Sequence, residues 1–348
     1  MAISEIEEES IFQVDKTHYL AQIQQLIDAF IPQYAKIQKK ITYLHVFFGL
    51  LFSAQIITLA YFLHVYSQSS YTAIGIASLF FTAFSYFILR IYFSSKRPEQ
   101  VLDLIDRYAE ASRKVLGFQS GIPEQHMALA QGFCKLAANL NSFEYNQFIF
   151  PSWLALLNPT LEKLSCWCFW HEVHKTKEIL LMLSIDEHIK MVKCEPTSPD
   201  LHTALANAYI MLSGLFIDPR KIEGYDDERW LPKERYNEEM EKKFRHAAER
   251  AIEEFKILSE YAPNDPWIHA QLAYSYHDLQ MPQEEIREYE TILKLRPDDK
   301  DTLFKLGVLY FQQGMNAKGL WVYDELKHYN YKKAEQLIQY YGAYSGQI

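Results

Sequence analysis

Two stretches in the C-terminal half of the chain read alike: residues 250–263 are RAIEEFKILSEYAP and residues 285–297 are EIREYETILKLRP. Their closing prolines, Pro263 and Pro297, are 34 residues apart, and residues 184–196, SIDEHIKMVKCEP, form an earlier copy. A period of about 34 residues that ends in proline is typical of helix pairs stacked into a solenoid. Only 12 of the 348 residues are glycine and 13 are proline, which also favours helices. The sequence therefore predicts an all-α fold that ends in a helical-repeat solenoid.

A second phrase supplies the partner helix of each pair. It is a Leu-Ala or Leu-Gly pair with a tyrosine three residues after it, and it begins at Leu205, Leu272 and Leu306. Together the two phrases resemble the tetratricopeptide-repeat (TPR) family over residues 184–330, and residues 332–342 read as a capping helix. The resemblance implies a TPR-like solenoid whose first helices line a concave face that binds peptides or helices.

Two positions depart from the TPR pattern. Glu285 and Gly319 stand where the second helix of a pair usually carries alanine, whereas Ala251 and Ser184 keep a small side chain there. The departures leave open how tightly the two helices of those pairs pack.

One pair is interrupted by an insertion of about 33 residues, 216–248. Apolar residues recur at helical spacing after Pro232, so we expect the second helix to be extended to about 30 residues, ending near Tyr261. The insertion is either a solvated spacer or a flap that binds a partner, since insertions in repeat proteins often lie on the binding face.

A second feature of the sequence is a charge-free stretch near the N-terminus. No Asp, Glu, Lys or Arg occurs between Lys40 and Arg90, a gap of 49 residues in a chain that is 23% charged. It divides into Leu44–Tyr66 and Thr72–Phe93, each long enough to cross a hydrocarbon core of about 30 Å. The short turn at 67–71 makes the two helices antiparallel, so the sequence predicts a transmembrane helical hairpin. A buried helix pair in a soluble protein is the alternative.

Cations flank the hairpin only on the side of the two chain termini, which predicts a two-span membrane protein with both termini in the cytoplasm. These cations are Lys36, Lys39, Lys40, Arg90, Lys96 and Arg97. Gln55 lies mid-span, and we expect it to face the other helix because an amide exposed to lipid is costly.

The chain is thus predicted to have four parts. Residues 1–40 are a polar N-terminus with an amphipathic helix, 41–97 hold the hairpin, 98–195 form a helical domain, and 196–348 hold the TPR-like repeats and their cap. Helices of the third part are expected to start at Pro98, Pro123 and Pro151.

The amphipathic helix before the hairpin is expected to be interrupted at Pro32. It either lies on the membrane surface or packs against the soluble body. Packing is preferred, because its polar face is mostly glutamine rather than the Lys and Arg of surface-lying helices.

A cluster of soft ligands, Cys166, Cys168, His171 and His174, suggests a metal site at first sight. At 100° per residue these side chains point in different directions from one helix, so packing among aromatic residues is the preferred interpretation, and contact with the membrane surface or a partner helix is the alternative. Phosphate-binding glycine loops, nucleophile elbows and paired His and carboxylate motifs do not occur, so we expect no enzyme activity, no cofactor and no bound metal.

Matching the TPR pattern residue by residue gives the expected partner-binding groove. The resemblance places these side chains inward: Trp267, Ala270, Tyr274, His277, Phe304, Val308 and Phe311. They are apolar and aromatic, so an amphipathic helix or hydrophobic segment of a protein is the expected ligand, with packing between repeats as the alternative. The lysines, arginine and asparagine that TPR cochaperones use to clamp an acidic tail are mostly missing.

The expected function follows from these parts. The residues after Arg97 carry 28 basic and 38 acidic side chains, a net charge of -10, which disfavours nucleic acid as a partner. A membrane-anchored scaffold that recruits a protein through its cytoplasmic repeats fits best. Two alternatives remain: the hairpin at 44–93 resembles the inclusion-membrane proteins of chlamydiae, which are secreted to present domains to the host cytosol, and a structural subunit of a larger membrane complex would share the same features.

Overall fold

The structure is a computed structural model that describes residues 2–65, 70–119, 121–148, 158–221, 230–329 and 331–342. Within these ranges every regular element is helical, so the all-α prediction is confirmed. The α-helices are α1 (Ala2–Val65), α2 (Ser70–Leu116), α3 (Pro123–Asn139), α4 (Asn158–Cys194), α5 (Pro199–Phe216), α6 (Glu238–Tyr261), α7 (Pro266–Asp278), α8 (Pro282–Leu295), α9 (Lys300–Gln312), α10 (Asn316–Tyr329) and α11 (Tyr331–Ile338). The chain divides into two compact units, Met1–Ser120 with Gln131–Leu180, and Gly121–Ala130 with Leu181–Ile348.

The first unit is built on two long helices that run through prolines. The predictions of a break at Pro32 and of a helix start at Pro98 are wrong, because Pro32 lies inside α1 and Pro98 lies inside α2. Each proline removes one backbone hydrogen bond. The adjoining turns are fixed by buried side chains, Phe30 and Tyr34 beside Pro32 and Val101 beside Pro98, and this packing keeps both helices continuous.

Both helices are long and apolar enough to cross a membrane, over Ala21–Tyr61 and Thr72–Leu116, and only 6% of their most apolar windows is buried. Polar side chains take part in the contact between the two helices. Gln55 Nε2 donates to Ser78 Oγ at 3.0 Å and to Thr82 Oγ1 at 2.8 Å. The expectation that Gln55 faces the other helix is confirmed.

The segment of α1 that precedes these apolar residues packs against the rest of its unit. Ile23 and Ile27 are completely buried, and the Phe30 and Tyr108 rings meet edge to face with 6.0 Å between centroids. The Tyr108 hydroxyl donates to the Gly132 carbonyl at 2.9 Å. The preferred packing of this amphipathic segment is therefore confirmed.

α3 begins at Pro123 as predicted. The expected helix start at Pro151, the end of the first predicted span at Tyr66, and residues 67–69 of the predicted turn lie outside the described residues. The described part of α4 begins at Asn158.

The second unit contains the repeats as three successive helix pairs, α5 with α6, α7 with α8, and α9 with α10. Successive pairs share α7: one core cluster joins Ala206 of α5, Phe255 of α6 and Leu272 of α7, and the next includes Ala273 of α7 and Leu306 of α9. Asp265 and Asp299, 34 residues apart, cap α7 and α9 through side-chain bonds to backbone N–H groups. The TPR-like solenoid is thus present in the described residues.

α11 closes the end of the array, as the predicted capping helix should. Leu337 of α11 is completely buried and lies against Gly307 of α9 so closely that a Cβ on that glycine would overlap the leucine methyls. The Leu-Gly form of the repeat phrase therefore has a packing cause at this position.

The expected length of the helix after the insertion is wrong. α6 has 24 residues and begins at Glu238, because the Asn237 side chain accepts from the N–H groups of Glu239 and Met240 and caps the helix there. Between Pro232 and this cap the chain forms a short 3-10 turn, Lys233–Arg235.

One further helix pair precedes these three. His126 of α3 lies with Nδ1 2.6 Å from Glu187 Oε2 on the C-terminal part of α4, and both residues belong to the second unit. The same contact recurs in the next two pairs, between His202 and Glu254 and between His269 and Glu288, each at 2.6 Å. The earliest copy of the repeat phrase, at 184–196, therefore has its first helix in α3.

Candidate protein-binding face

The predicted groove residues of α7 lie on one side of that helix. Trp267 and Tyr274 are 44% and 46% exposed, His277 is exposed, and Ala270 is half-buried. Ala270, Tyr274 and His277 follow Trp267 by three, seven and ten residues. This spacing places the four side chains on one face of the helix. Pro266 opens the helix and the Asp265 cap fixes its first turn, so Trp267 is held at the helix start with its backbone N–H bonded to Asp265 Oδ1 at 2.9 Å.

The α9 residues continue this surface only in part. Phe304 and Val308 are half-buried and pack against the core cluster of the last repeats. Phe311 is 3% exposed, and its ring meets Tyr341 edge to face at 5.7 Å. The structure therefore places Phe311 in the core and leaves Phe304 and Val308 at the edge of the surface.

The buried position of Phe311 depends on a glycine. A Cβ built on Gly319 would overlap the Phe311 ring, so the ring occupies the space that alanine fills in the usual pattern. In the preceding pair the equivalent positions are His277 and Glu285, 34 residues earlier, and the two side chains bond at 3.1 Å between Nδ1 and Oε1. Both departures from the TPR pattern are thus matched by the residue they face.

The electrostatics of the face centre on Tyr274. The Lys305 ammonium lies 4.8 Å from the centroid of the Tyr274 ring and donates to its hydroxyl at 3.2 Å, which joins α7 to α9. Beside the face, burial raises the pKa of Asp278, and the Glu285 charge raises it further against the lowering effect of His277. The surface therefore offers an aromatic centre with the Lys305 cation over it and acidic groups at one end.

The repeat register adds apolar residues that the sequence analysis did not name. Ile210 and Met211 of α5 are exposed, and Ile210 stands 67 residues before His277, at the equivalent position of its own repeat. An alignment of the repeat phrases that begin at Leu205 and Leu272, which are 67 residues apart, would have identified Ile210 and Met211 from the sequence. The candidate face is defined from here on as Trp267, Ala270, Tyr274, His277, Phe304 and Val308, with Ile210 and Met211 as its extension onto α5.

A cavity of about 330 Å³ lies where the insertion leaves α5 and enters α6. Its described walls include Phe216, Tyr236 and Phe244, and its rim includes Asp218 and Asp278. Asp218 forms a bidentate pair with Arg220, at 2.8 and 2.6 Å, and the Arg220 guanidinium also lies 5.7 Å from the Tyr236 ring centroid. The two described ends of the insertion therefore contact each other through Arg220 and Tyr236.

The cysteine and histidine cluster of α4 is spread around the helix. Cys166 and His174 are buried, Cys168 is half-buried, and His171 is exposed. The His174 ring stacks on Trp170 with 4.6 Å between centroids, and burial raises the pKa of the Cys166 thiol to about 11. Among the described residues no three His, Cys, Asp or Glu side chains are grouped to hold a metal ion.

No protein-family model matches the chain, and no curated protein matches it. Solved structures that resemble it include MamA, with a TM-score of 0.35 and 14% identity over 70% of this chain and 93% of that one. A monomeric mutant of IFIT1 with Gppp-AAAA has a TM-score of 0.33 and 13% identity over 91% of this chain and 85% of that one. The TPR domain of P58(IPK) has a TM-score of 0.22 and 13% identity over 96% and 99%. At these TM-scores none of them carries an argument about what this chain binds.

Proposed function

We propose that the protein is a membrane-anchored scaffold whose α1–α2 hairpin crosses the bilayer and whose TPR-like repeats recruit a protein in the cytoplasm. The observation that supports membrane anchoring is the distribution of side chains in the hairpin, which is the reverse of that in a soluble protein. Gln55 of α1 donates to Ser78 and Thr82 of α2 between the helices, whereas the outward side chains are large and apolar. These outward residues include Phe47, Leu50, Ile57, Phe80, Phe81 and Phe84.

This arrangement supports a lipid environment over a soluble one. Soluble proteins rarely expose contiguous apolar patches larger than a few hundred Å², while transmembrane pairs turn small and polar groups inward and apolar groups outward. The alternative of a helix pair buried in a soluble protein requires these side chains to be covered, and only 6% of the described apolar windows is buried.

The topology follows from the positive-inside rule. The six cations beside the hairpin all lie on the side of the chain termini, and the segment at 67–71 has none. Single reporter cysteines at Ser69 and Ser345, in a background freed of native accessible thiols, test this orientation with an impermeant maleimide on intact cells. Labelling at Ser69 alone agrees with cytoplasmic termini, and labelling at Ser345 alone contradicts them.

The partner-binding role rests on the candidate face. Trp267 and Tyr274 present aromatic surface from a rigid helix, and such anchors dominate the energetics of protein interfaces. The occupant that fits is an amphipathic helix or hydrophobic segment, since the face is apolar with the Lys305 cation at its centre.

The full chain, solubilised in mild detergent, tests this role by quantitative co-purification from its own cells. Trp267→Ala and Tyr274→Ala should each deplete the same co-purifying protein. Trp321→Ala is the matched control, because Trp321 is an exposed tryptophan of α10 outside the face. Equal recovery in all variants would contradict recruitment through this face and favour a subunit held by other surfaces.

A further inference from the structure

A second surface with exposed apolar side chains lies on α4. Trp167 is 62% exposed and Leu164 is 48% exposed, three residues apart on one side of the helix. Lys163 and His171 are exposed on the same side, while Cys166 next to them is completely buried. α4 is thus anchored by its inner side and presents a tryptophan and a leucine outward.

Two contacts set the position of α4 along the hairpin helices. Glu172 pairs with Arg97 at 2.5 Å, and Thr176 Oγ1 lies 3.0 Å from the Tyr34 hydroxyl. Arg97 is four residues past the second predicted span, which ends at Phe93, and Tyr34 is ten residues before the first. At 1.5 Å per residue they lie about 6 Å and about 15 Å from the span ends. From Glu172 to Thr176 the α4 helix therefore runs away from the two predicted membrane spans. Its N-terminal end is the end nearer to them.

The exposed pair lies on that N-terminal end. Trp167 precedes Glu172 by five residues and Leu164 precedes it by eight, which places them about 7.5 Å and about 12 Å nearer the spans. Counted from Arg97, Trp167 reaches the level at which the second span ends, and Leu164 lies about 6 Å past that level. Tryptophan is enriched at this level in membrane proteins, and the Lys163 stem can extend its ammonium toward the headgroups.

We propose that the Leu164–Trp167 face of α4 is a peripheral contact with the lipid bilayer, seated in the headgroup region of the leaflet where the hairpin enters. The proposal rests on the proposed membrane anchoring. Together with the Arg97–Glu172 pair it holds the N-terminal part of α4, within the first unit, against the membrane surface.

The test replaces one residue at a time by the photoreactive p-benzoylphenylalanine in the full chain, reconstituted in phosphatidylcholine–phosphatidylglycerol liposomes. Trp167 probes the proposed contact. Lys175, exposed on the same helix eight residues and about 12 Å further from the spans, is the matched control. Phe84, in the middle of the second span, reports the hairpin itself. All three side chains are exposed, so none of the replacements disturbs a core.

The expected result is lipid crosslinking at positions 84 and 167 and its loss at 175. Crosslinking at 84 without crosslinking at 167 overturns the α4 contact and leaves the anchor standing. Equal crosslinking at 167 and 175 overturns the proposed depth, since the whole exposed side of α4 would then touch lipid. Absence of lipid at 84 overturns the anchor and this inference together.

Discussion

At the residue scale, pairs of complementary residues fit the two helices of a repeat to each other. The helix position eight residues after His277 is Glu285, and the position eight residues after Phe311 is Gly319. One pair forms a hydrogen bond and the other fits a ring over a glycine. Each of these residues is explained only by the side chain that it contacts. The sequence pattern, which compares positions one at a time, therefore shows Glu285 and Gly319 only as departures.

Gly319→Ala should destabilise the last repeat by about 1–3 kcal/mol, because the added Cβ would overlap a ring that the core holds in place. The measurement is the free energy of unfolding of the full chain in detergent. Gly214→Ala in α5 is the control, since its Cβ would meet open space. It should stabilise by about 0.5–1 kcal/mol through helix propensity. An equal effect of the two variants would contradict the packing role of Gly319.

His202 should make the stability of the repeats fall as pH rises. Burial lowers its pKa, but the hydrogen bond and charge of Glu254 and the Pro196 carbonyl outweigh burial, so the pKa lies above its usual 6.5. Both ring nitrogens face acceptors, at 2.6 Å and 2.9 Å, which the doubly protonated ring satisfies. A raised folded-state pKa gives stability that is complete below pH 6.5 and is lost as pH rises through the folded-state value.

The check is the midpoint of thermal unfolding of the full chain between pH 5.5 and 8.5. His202→Gln should flatten the decline above pH 6.5, whereas His246→Gln, at an exposed histidine of α6, should leave it unchanged. A decline that is the same in both variants would assign the pH dependence to other groups.

At the element scale, the sequence predicts helices well where packing and propensity agree and poorly where they compete. The helix pairs, the start of α3 and the capping helix follow from spacing and proline positions. The predicted break at Pro32 and the predicted helix start at Pro98 are wrong. A rule based on local sequence includes the backbone hydrogen bond that each proline removes, but not the packing of the buried helical turns beside it. The start of α6 is predicted too early for a different reason. The Asn237 cap is a stronger local signal than the apolar spacing that follows Pro232.

The candidate face shows the same limit. Its α7 residues are predictable, since a helix start at Pro266 and the repeat register place Trp267 and Tyr274 on one side. Phe311 has the same register as His277, yet it turns inward because Gly319 leaves room for it. The repeat register predicts the face of the helix on which a side chain lies. The helix packed against that face decides whether the side chain is exposed.

The interhelical amide of the hairpin should contribute measurably to the pairing of α1 with α2. Gln55→Ala removes both bonds, to Ser78 and Thr82, and should weaken the hairpin by about 0.5–2 kcal/mol. Ser53→Ala is the control, because the Ser53 hydroxyl bonds only to Gly49 of its own helix among the described contacts. Unfolding in bicelles compares the two, and equal stability of both variants would assign the pairing to apolar packing alone.

At the scale of the whole molecule, the repeat array begins earlier than its most regular copies suggest. A proline followed three residues later by histidine occurs at 123–126, 199–202 and 266–269, and each histidine bonds a glutamate on the second helix of its pair. The first of these pairs is made from residues 121–130 and 181–194, so the 50 residues between them belong to the other compact unit. Sequence spacing hides this pair, because a 34-residue period cannot reveal an insertion of unknown length.

His126→Ala should therefore loosen two distant segments at once. In the native chain burial raises the pKa of Glu187, but hydrogen bonds from Lys190 and His126 hold it below its usual range. Loss of the imidazole takes a hydrogen bond away from a buried carboxylate, a cost of about 1–3 kcal/mol. Hydrogen–deuterium exchange of the full chain in detergent should rise together in residues 123–130 and 184–194 and stay unchanged in α9. A rise confined to residues 123–130 would show that α3 and the end of α4 do not act as one repeat, because a true helix pair loses protection on both helices when their shared contact is removed.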